Sequence, residues 1–525
     1  MSPIHPAQNH GLLKIPSPPS SDPRSSVKAW PGAGMVLSVG MGVGALLDRI
    51  GGLKSLLDAP VRHVINRGEL GKPSPELMKV TLNRCVAMIR EECLNRKQSW
   101  SSLAKELFDA VAPDGLTRPV TDPRFRQDLE NLVGSKFTPK NKVKILADGP
   151  ASFDKRYRLI KKATDRIYLM SYQINEDETS MRMAELLAKA ARRGVDVRVL
   201  VDKKTALSQS NSKALEKMRG AGVIINLWDR PKNPLVSLHG KIFVADDQAI
   251  VGGMNCGNSY SWRWQVASED GSPRYRDTDL LVKGSKSVGQ ACEEFTKRWN
   301  EVASDTDQLP VESKFRKDDV ERCSVTSAKP DSQYPPTKTR NADVMVISQC
   351  PDTDEHLKLA KATLKLILSA QHSIDIQNAY ILNLPPVQQA LKSAVARGVD
   401  VRVLTNSRET AAESIVATPS MRALKELAKA GVKVYLRTDS YLHSKIMVVD
   451  REYSVCGSFN LHPRSMRYDN EVMAVVHNRK FAGRLTALMN YDVRKAVAQR
   501  VGEEQITWKE NLESLLAEKV FFDHL

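Results

Sequence analysis

One stretch of this chain occurs twice, 204 residues apart, and that repetition restricts the available folds more than any bulk property. SLHGKIFVADDQAIVGGMNCGN (237–258) is matched by YLHSKIMVVDREYSVCGSFN (441–460), so that His239 and His443, Lys241 and Lys445, and Asp246 and Asp450 coincide. In phase with them, RGVDVRVL stands at 193–200 and again at 397–404, and GAGVIINL is echoed by KAGVKVYL. Two related units must be accommodated, and 525 residues suffice for two or three domains with substantial cores.

The first copy reads as alternating strands and helices. NKVKILADG, DRIYLMSYQIN and VDVRVLVD have the apolar run of strands, whereas TSMRMAELLAKAARRG and NSKALEKMRGAG carry a helical period, the second ending at glycine. This alternation predicts an α/β layer sandwich in each half. Between the copies, EVASDTDQLPVESKFRKDDVERCSVTSAKPDSQYPPTKTR is polar and poorly periodic, as a linker or surface excursion is. Packed about a pseudo-twofold axis, two such units bring their equivalent strand ends to one shared cleft.

The chemistry lies at those strand ends. Residues i and i+2 of a strand face the same way, so each His-x-Lys sets an imidazole beside an ammonium group while Gly240 or Ser444 points away. With Asn255 and Asn460 from the following Gly/Asn turns, the cleft offers two imidazoles, two ammonium groups and two amides. One neutral imidazole serves as nucleophile and a protonated one as general acid, while Lys241, Lys445 and the amides hold the non-bridging oxygens of a phosphodiester. Residues alone do not say which histidine attacks. Asp246 and Asp450 follow their lysines by an odd step and are expected to brace the turn. A third such pair, His356 and Lys358, sits in the helical-looking DEHLKLAKATLKLIL and is assigned no chemistry. A divalent metal is not expected, because each histidine comes with a same-face cation.

These residues resemble the two HKD motifs of the phospholipase D superfamily. The first copy departs from the common form, with five rather than six residues between Asp246 and Gly252. Its GGMNCGNSY and YRDTDLLVKG, with LTNS and GSFNLHPRS of the second copy, are similar to bacterial cardiolipin synthases of the C type over about residues 140–500. The resemblance implies two duplicated phospholipase D-like α/β/α sandwich domains (140–300 and 342–500) around one shared active-site cleft, joined by a linker at 301–341. By motif it adds Asp277 and Glu471 as the carboxylates that orient the imidazoles. Asp279 is read instead as a surface acid. The resemblance further implies His239 as the attacking group, His443 as acid and then base, a covalent phosphohistidine, no cofactor, and a phosphatidyl donor with an alcohol acceptor. A hydrolytic phospholipase D, which includes a secreted effector, stays open as an alternative, as do a metal-independent nuclease and a non-catalytic anion-binding protein.

Composition narrows the partners. The balance of 78 Lys and Arg against 61 Asp and Glu gives +17, which favours polyanionic surfaces such as an anionic membrane. The basic run 154–166 is one candidate for that contact. Neither a helix-turn-helix nor an aromatic stacking platform is evident, so nucleic acid is not the expected partner. Seven scattered cysteines without a CxxC pair suggest neither a disulfide framework nor a zinc site. With both histidines on one chain the protein is expected to act as a monomer, peripheral to a bacterial membrane.

Outside the repeat, the Pro- and Ser-rich residues 1–32 read as a disordered leader and 33–139 as a Gly-rich apolar segment followed by a helical extension. The apolar run AGMVLSVGMGVGALL has 15 residues, short of the ~20 of a spanning helix. ELMKVTLNRCVAMIREECL and SSLAKELFDAVA are expected helices, as is the tail 501–525.

Overall fold

The computed structural model describes residues 12–14, 99–208, 213–231, 233, 235–261, 274–309, 337–411 and 414–495. The apolar run at 33–47, the helix expected around 76–94, most of the leader and linker, and the C-terminal tail lie outside them.

The N-terminal elements are β1 (Leu13–Lys14), α1 (Trp100–Val111), β2 (Leu116–Thr117) and α2 (Phe125–Val133). The first half contains β3 (Thr138–Ala147), α3 (Asp148–Lys162), β4 (Arg166–Ser171), α4 (Glu178–Arg192), β5 (Asp196–Asp202), α5 (Lys203–Ser208), α6 (Lys213–Arg219) and β6 (Ile224–Trp228). It continues through β7 (Ser237–Leu238), β8 (Ile242–Ala245), β9 (Gln248–Gly252), α7 (Asn258–Ser261), β10 (Tyr275–Arg276), β11 (Thr278–Lys283) and α8 (Ser285–Asn300). The second half repeats this order with β12 (Lys338–Gln349), α9 (Lys358–Leu368), β13 (Ser373–Gln377), α10 (Pro385–Ala396), β14 (Asp400–Asn406), α11 (Ser414–Lys429) and β15 (Lys433–Arg437). β16 (Tyr441–Leu442), β17 (Ile446–Val449), β18 (Tyr453–Gly457), α12 (Pro463–Arg467), β19 (Asp469–His477) and α13 (Arg479–Lys495) complete it.

The duplication is explicit in the sheet. The order β6-β5-β4-β8-β9-β11-β3 in one half mirrors β15-β14-β13-β17-β18-β19-β12 in the other, and antiparallel pairing of β3 with β12 joins the two edges. Along this order the β4-β5-β6 and β13-β14-β15 segments are parallel, as their helical crossovers require, and the other pairings are antiparallel. The repeated VDVRVL thus becomes a strand that alternates at its start, where the Asp and Arg side chains stay at least partly exposed, and is buried on both faces from the second valine of the strand onward. Asp177 caps α4 by accepting from the Ser180 N–H at 3.0 Å, and Gly194 ends that helix region at φ 87°. In the second half Gly398 does the same at φ 88°.

Each sheet is covered by helices on both faces. On the outer faces α3, α4 and α6 pack on the first sheet and α9 and α10 on the second. Between the halves, α8 and α13 share one core with inward residues of both sheets, including Val282, Phe295, Trp299, Val448, Cys456 and Phe481. Burying a side chain of this size contributes roughly 1.5–3 kcal/mol. The sheets approach closely enough for the Cys456 thiol to lie 3.5 Å from the Thr278 carbonyl.

The one-residue shortening of the first motif falls in a hairpin turn. β8 and β9 are joined through Asp246 and Asp247, whereas β17 and β18 are joined through Asp450, Arg451 and Glu452. The registers on either side are preserved, Ile242 opposite Val251 and Ile446 opposite Cys456. Asp246 and Asp450 hold positive φ in these turns, 48° and 49°. Their carboxylates accept the backbone N–H groups of 164–166 at 3.0–3.1 Å and of 371–373 at 2.7–2.8 Å, bracing the turns as expected.

The N-terminal extension packs on the second half. Ser99 caps α1, one residue before the helix, by accepting the Ser102 N–H at 3.1 Å. Trp100, Leu103, Leu107, Phe108 and Val111 face α9 and α10, while the Arg467 guanidinium of α12 lies 4.1 Å over the Trp100 ring. The described extension is not wholly helical, since β1 pairs with β2; the leader is therefore ordered at Leu13–Lys14. Of the basic run, Arg156 is buried, and Arg158, Lys161 and Lys162 are the exposed cations. His356 lies in a turn ahead of α9 rather than within the helix. Among the described residues no helix is long and apolar enough to cross a membrane.

Candidate active site

Neither His-x-Lys lies inside a strand. Each occupies the crossing between a two-residue strand paired with the other half and a longer strand paired with its own. β7 runs parallel to the start of β19, Ser237 opposite Asp469, before the chain enters β8. Equivalently, β16 runs parallel to β10, Tyr441 opposite Tyr275, before entering β17. The His239 N–H donates to the Asn470 carbonyl at 2.9 Å and the His443 N–H to the Arg276 carbonyl at 2.7 Å.

The residue after each of those carbonyls is the carboxylate. His239 Nδ1 is 2.8 Å from Glu471 Oε1, and His443 Nδ1 is 2.6 Å from Asp277 Oδ2. Each imidazole is therefore held by the opposite half of the chain, a crossing invisible in the motif. Both carboxylates are wholly buried, and the histidines keep 14% and 8% of their side-chain surface. Ser458 and Ser465 donate to Glu471 at 2.5 and 2.6 Å, and Ser465 itself accepts the Asn460 N–H at 3.4 Å, so the hydroxyl is oriented as donor. With both hydroxyls donating, Glu471 acts as an acceptor toward the imidazole as well, so Nδ1 of His239 carries the proton and Nε2 presents a lone pair. At the other dyad Asp277 accepts the Thr278 N–H at 2.7 Å, and Gly253 stands where Ser458 stands in the second copy. A Cβ on Gly253 would lie 2.6 Å from Asp277 Oδ1, which explains the glycine.

The remaining site residues surround these dyads. The Lys241 and Lys445 ammonium groups donate to the carbonyls of their own histidines, the latter at 2.5 Å. Asn255 Nδ2 donates to the Tyr260 hydroxyl at 2.9 Å, and Asn460 Oδ1 is buried with no hydrogen-bond partner among the described residues. Burial, reinforced by the ammonium groups, pushes both imidazoles well below their ordinary value. Burial also brings Lys241 down to about 8 and Lys445 to about 7, and raises Glu471 to about 7 and Asp277 above its usual range. A cleft in this state favours an incoming anion, which would restore protons to these groups.

Asp279 corrects the reading of a surface acid. It is wholly buried, accepting from Ser152 Oγ at 2.5 Å and from Arg156 at 2.8 Å. Its partners come from α3, more than a hundred residues away, and no periodicity in YRDTD could show them. Sequence reasoning also passed over Ser458 and Ser465, the clamp on Glu471, although both lie within the quoted GSFNLHPRS. Arg276, buried and bonded to Asp148 at 3.1 Å and to Asp492 at 2.7 and 2.9 Å, fixes the backbone beside Asp277 and was missed too.

His239, Asp469 and Glu471 bring ligand-type atoms within 4.8 Å of one another. Their charges are already met: Asp469 pairs with Arg464 at 3.2 Å, and the Lys241 ammonium acts on both acids. The donor set does not fit a resident dication.

A doubled sheet with two imidazole–carboxylate dyads crossed between its halves defines a phospholipase D-superfamily enzyme, a phosphatidyltransferase or phosphodiesterase. The family model described as "Cardiolipin synthase, PLD-like domain" matches residues 157–299 and 363–493, and the chain belongs to that family. It is 30% identical over 372 residues to a cardiolipin synthase of Halalkalibacterium halodurans, spanning 69% of this chain and 68% of that one. A cardiolipin synthase of Listeria innocua is 27% identical over 394 residues, 72% of this chain and 75% of that one. Among solved structures, phosphatidylserine synthase of Haemophilus influenzae shares the fold, with TM-score 0.58 and 15% identity over 77% of this chain and 99% of its own.

Proposed function

We propose that this enzyme transfers a phosphatidyl group between alcohols through a covalent phosphohistidine. The observation that carries the reading is the pair of buried carboxylates, each bound to the Nδ1 of one histidine, which leaves two Nε2 atoms for opposite faces of one phosphorus. His239 Nε2 attacks, a P–N bond forms, the bond to the first alcohol breaks, and His443 Nε2–H protonates the departing oxygen. A second alcohol then gives its proton to His443 Nε2 as its oxygen bonds phosphorus and the P–N bond breaks. Lys241, Lys445, Asn255 and Asn460 stabilise the charge on the non-bridging oxygens, for which Asn460 Oδ1 turns aside and its NH₂ donates.

The cardiolipin synthase relatives support a phospholipid donor. That the protein acts as a monomer rests on both dyads being completed within one chain, that it works without a metal rests on the lysine beside each histidine, and a membrane surface is proposed from the net charge of +17. The test is lipid mass spectrometry of phosphatidylglycerol vesicles incubated with the purified chain and ¹³C-glycerol or ethanol. Phosphatidyl-alcohols, and some cardiolipin without added alcohol, are expected. Phosphatidic acid alone at every acceptor concentration would mean a hydrolase, and cleavage of DNA but not lipid a nuclease. EDTA is expected to leave the rate unchanged; loss restored by Zn²⁺ or Mg²⁺ would contradict the lysine-based reading.

A further inference from the structure

The pseudo-twofold axis relates the two dyads but not their surroundings. Where β7 meets β19, the opposed residues flanking His239 are Ser237 and Asp469. Where β16 meets β10, the equivalent residues flanking His443 are Tyr441 and Tyr275. The same exchange occurs in the Gly/Asn turns, Ser465 in the second copy against Tyr260 in the first. It recurs beside the bridges Ile174–Cys256 and Ile381–Leu461, which place Gln173 in the first copy against Tyr380 in the second. Four twofold-related positions are thus polar around His239 and tyrosine on the other side, while the His239 side has Tyr172, its ring 5.1 Å from the imidazole, where the second copy has Ala379.

The two environments are built for different contents. On the His239 side Arg464 ties up Ser237 at 2.9 Å and Asp469 at 3.2 Å, and Ser465 is committed to Glu471. On the His443 side the rings of Tyr260, Tyr441 and Tyr275 lie 5.3, 5.8 and 5.9 Å from the imidazole, with Tyr275 and Tyr441 4.7 Å apart and Tyr380 6.2 Å from Tyr441. Tyr260 and Tyr441 are buried, whereas Tyr275 and Tyr380 are half-buried and form the open end of the group. Burial holds the Tyr260 and Tyr441 phenols well above their ordinary value, so both stay neutral donors.

We propose that this tyrosine wall is the alcohol subsite and that it selects a polyol, whose carbon frame packs on the rings and whose second hydroxyl bonds a phenol. The inference rests on the preceding reading, in which His443 handles the proton of both alcohols. Aromatic rings also attract ammonium groups, but Lys241 and Lys445 share this cleft and repel them, which favours a neutral polyol over an aminoalcohol.

The test is the partition of the phosphoenzyme, a ratio independent of how fast that intermediate forms. Full-length protein is incubated with phosphatidylglycerol vesicles and ¹³C-glycerol, ethanol or choline, and labelled product is divided by phosphatidic acid. Tyr275→Phe with Tyr380→Phe keeps the rings and removes two hydroxyls. The glycerol-to-water ratio is expected to fall about fivefold, as for one lost hydrogen bond, while the ethanol-to-water ratio holds. Tyr172→Ala, on the His239 side, is expected to change neither ratio. An unchanged glycerol ratio, an equal fall for ethanol, the same fall in Tyr172→Ala, or a wild-type preference for choline would each overturn the assignment. Absence of any transfer product from the wild type would instead overturn the transferase reading itself.

Discussion

His239 and His443 are equivalent by symmetry yet are held by acids of different length, and the difference is local. Glu471 reaches its imidazole with two serine hydroxyls behind it; Asp277 is one methylene shorter and lies against the bare Cα of Gly253. Both acids are expected to fix the Nδ1–H tautomer and stabilise the imidazolium. Glu471→Gln and Asp277→Asn should therefore each lower kcat about 10²–10⁴-fold with the fold intact by circular dichroism. His239→Ala and His443→Ala should each abolish turnover, and the double variant should be no worse than either, because one group makes the phosphoenzyme and the other moves its protons. Near-normal steady-state turnover in either single variant would refute a shared cleft. Charge gives a third expectation. Imidazole and ammonium values are depressed in the empty cleft, a bound phosphodiester monoanion raises them, and proton uptake must accompany binding near pH 7. Calorimetry of a non-hydrolysable phosphodiester in buffers of different ionisation enthalpy measures it; proton release would have the wrong sign. Affinity should accordingly weaken as pH rises.

At the scale of elements, the hairpins that follow the two lysines are held by single side chains. Asp246 and Asp450 each satisfy backbone N–H groups of the segment entering the neighbouring strand, so Asp246→Ala or Asp450→Ala should cost about 1–3 kcal/mol in urea unfolding while folded enzyme stays active. These turns were legible because an odd step from lysine decides the direction of a side chain. The strands and helices of each half were legible for a similar reason, since apolar period and glycine stops are local signals. What escaped was non-local. β7, β10 and β16 are two residues long, too short for any period, yet their pairing decides which acid meets which histidine. The buried Asp279 looked like a surface acid because its arginine lies on another element. The tyrosine wall was hidden in the same way, its members scattered over 260, 275, 380 and 441, and only a position-by-position comparison of the copies would have exposed it.

At the scale of the molecule, the joined edge of β3 and β12, the shared core of α8 and α13 and the crossed dyads make one catalytic body of two similar halves. Mixing His239→Ala with His443→Ala protein should not restore activity, because each cleft is completed within its own chain. Recovery after mixing would imply exchange of halves between molecules. Among the described residues the N-terminal extension packs on this body through α9, α10 and the Trp100–Arg467 contact to α12, the helix that carries Ser465. Trp100→Ala is thus expected to lower thermal stability by the loss of a fully buried indole, about 3–5 kcal/mol, and to loosen the Glu471 clamp. The crossing of the dyads also has a temporal consequence. Each half contains the local contacts to form its own sheet, but neither contains a histidine with its acid, so the enzyme acquires catalysis only when the halves dock. Refolding followed by far-ultraviolet circular dichroism and by turnover should give two separate rates, with turnover the slower, so that activity serves as the clock for the last step of assembly.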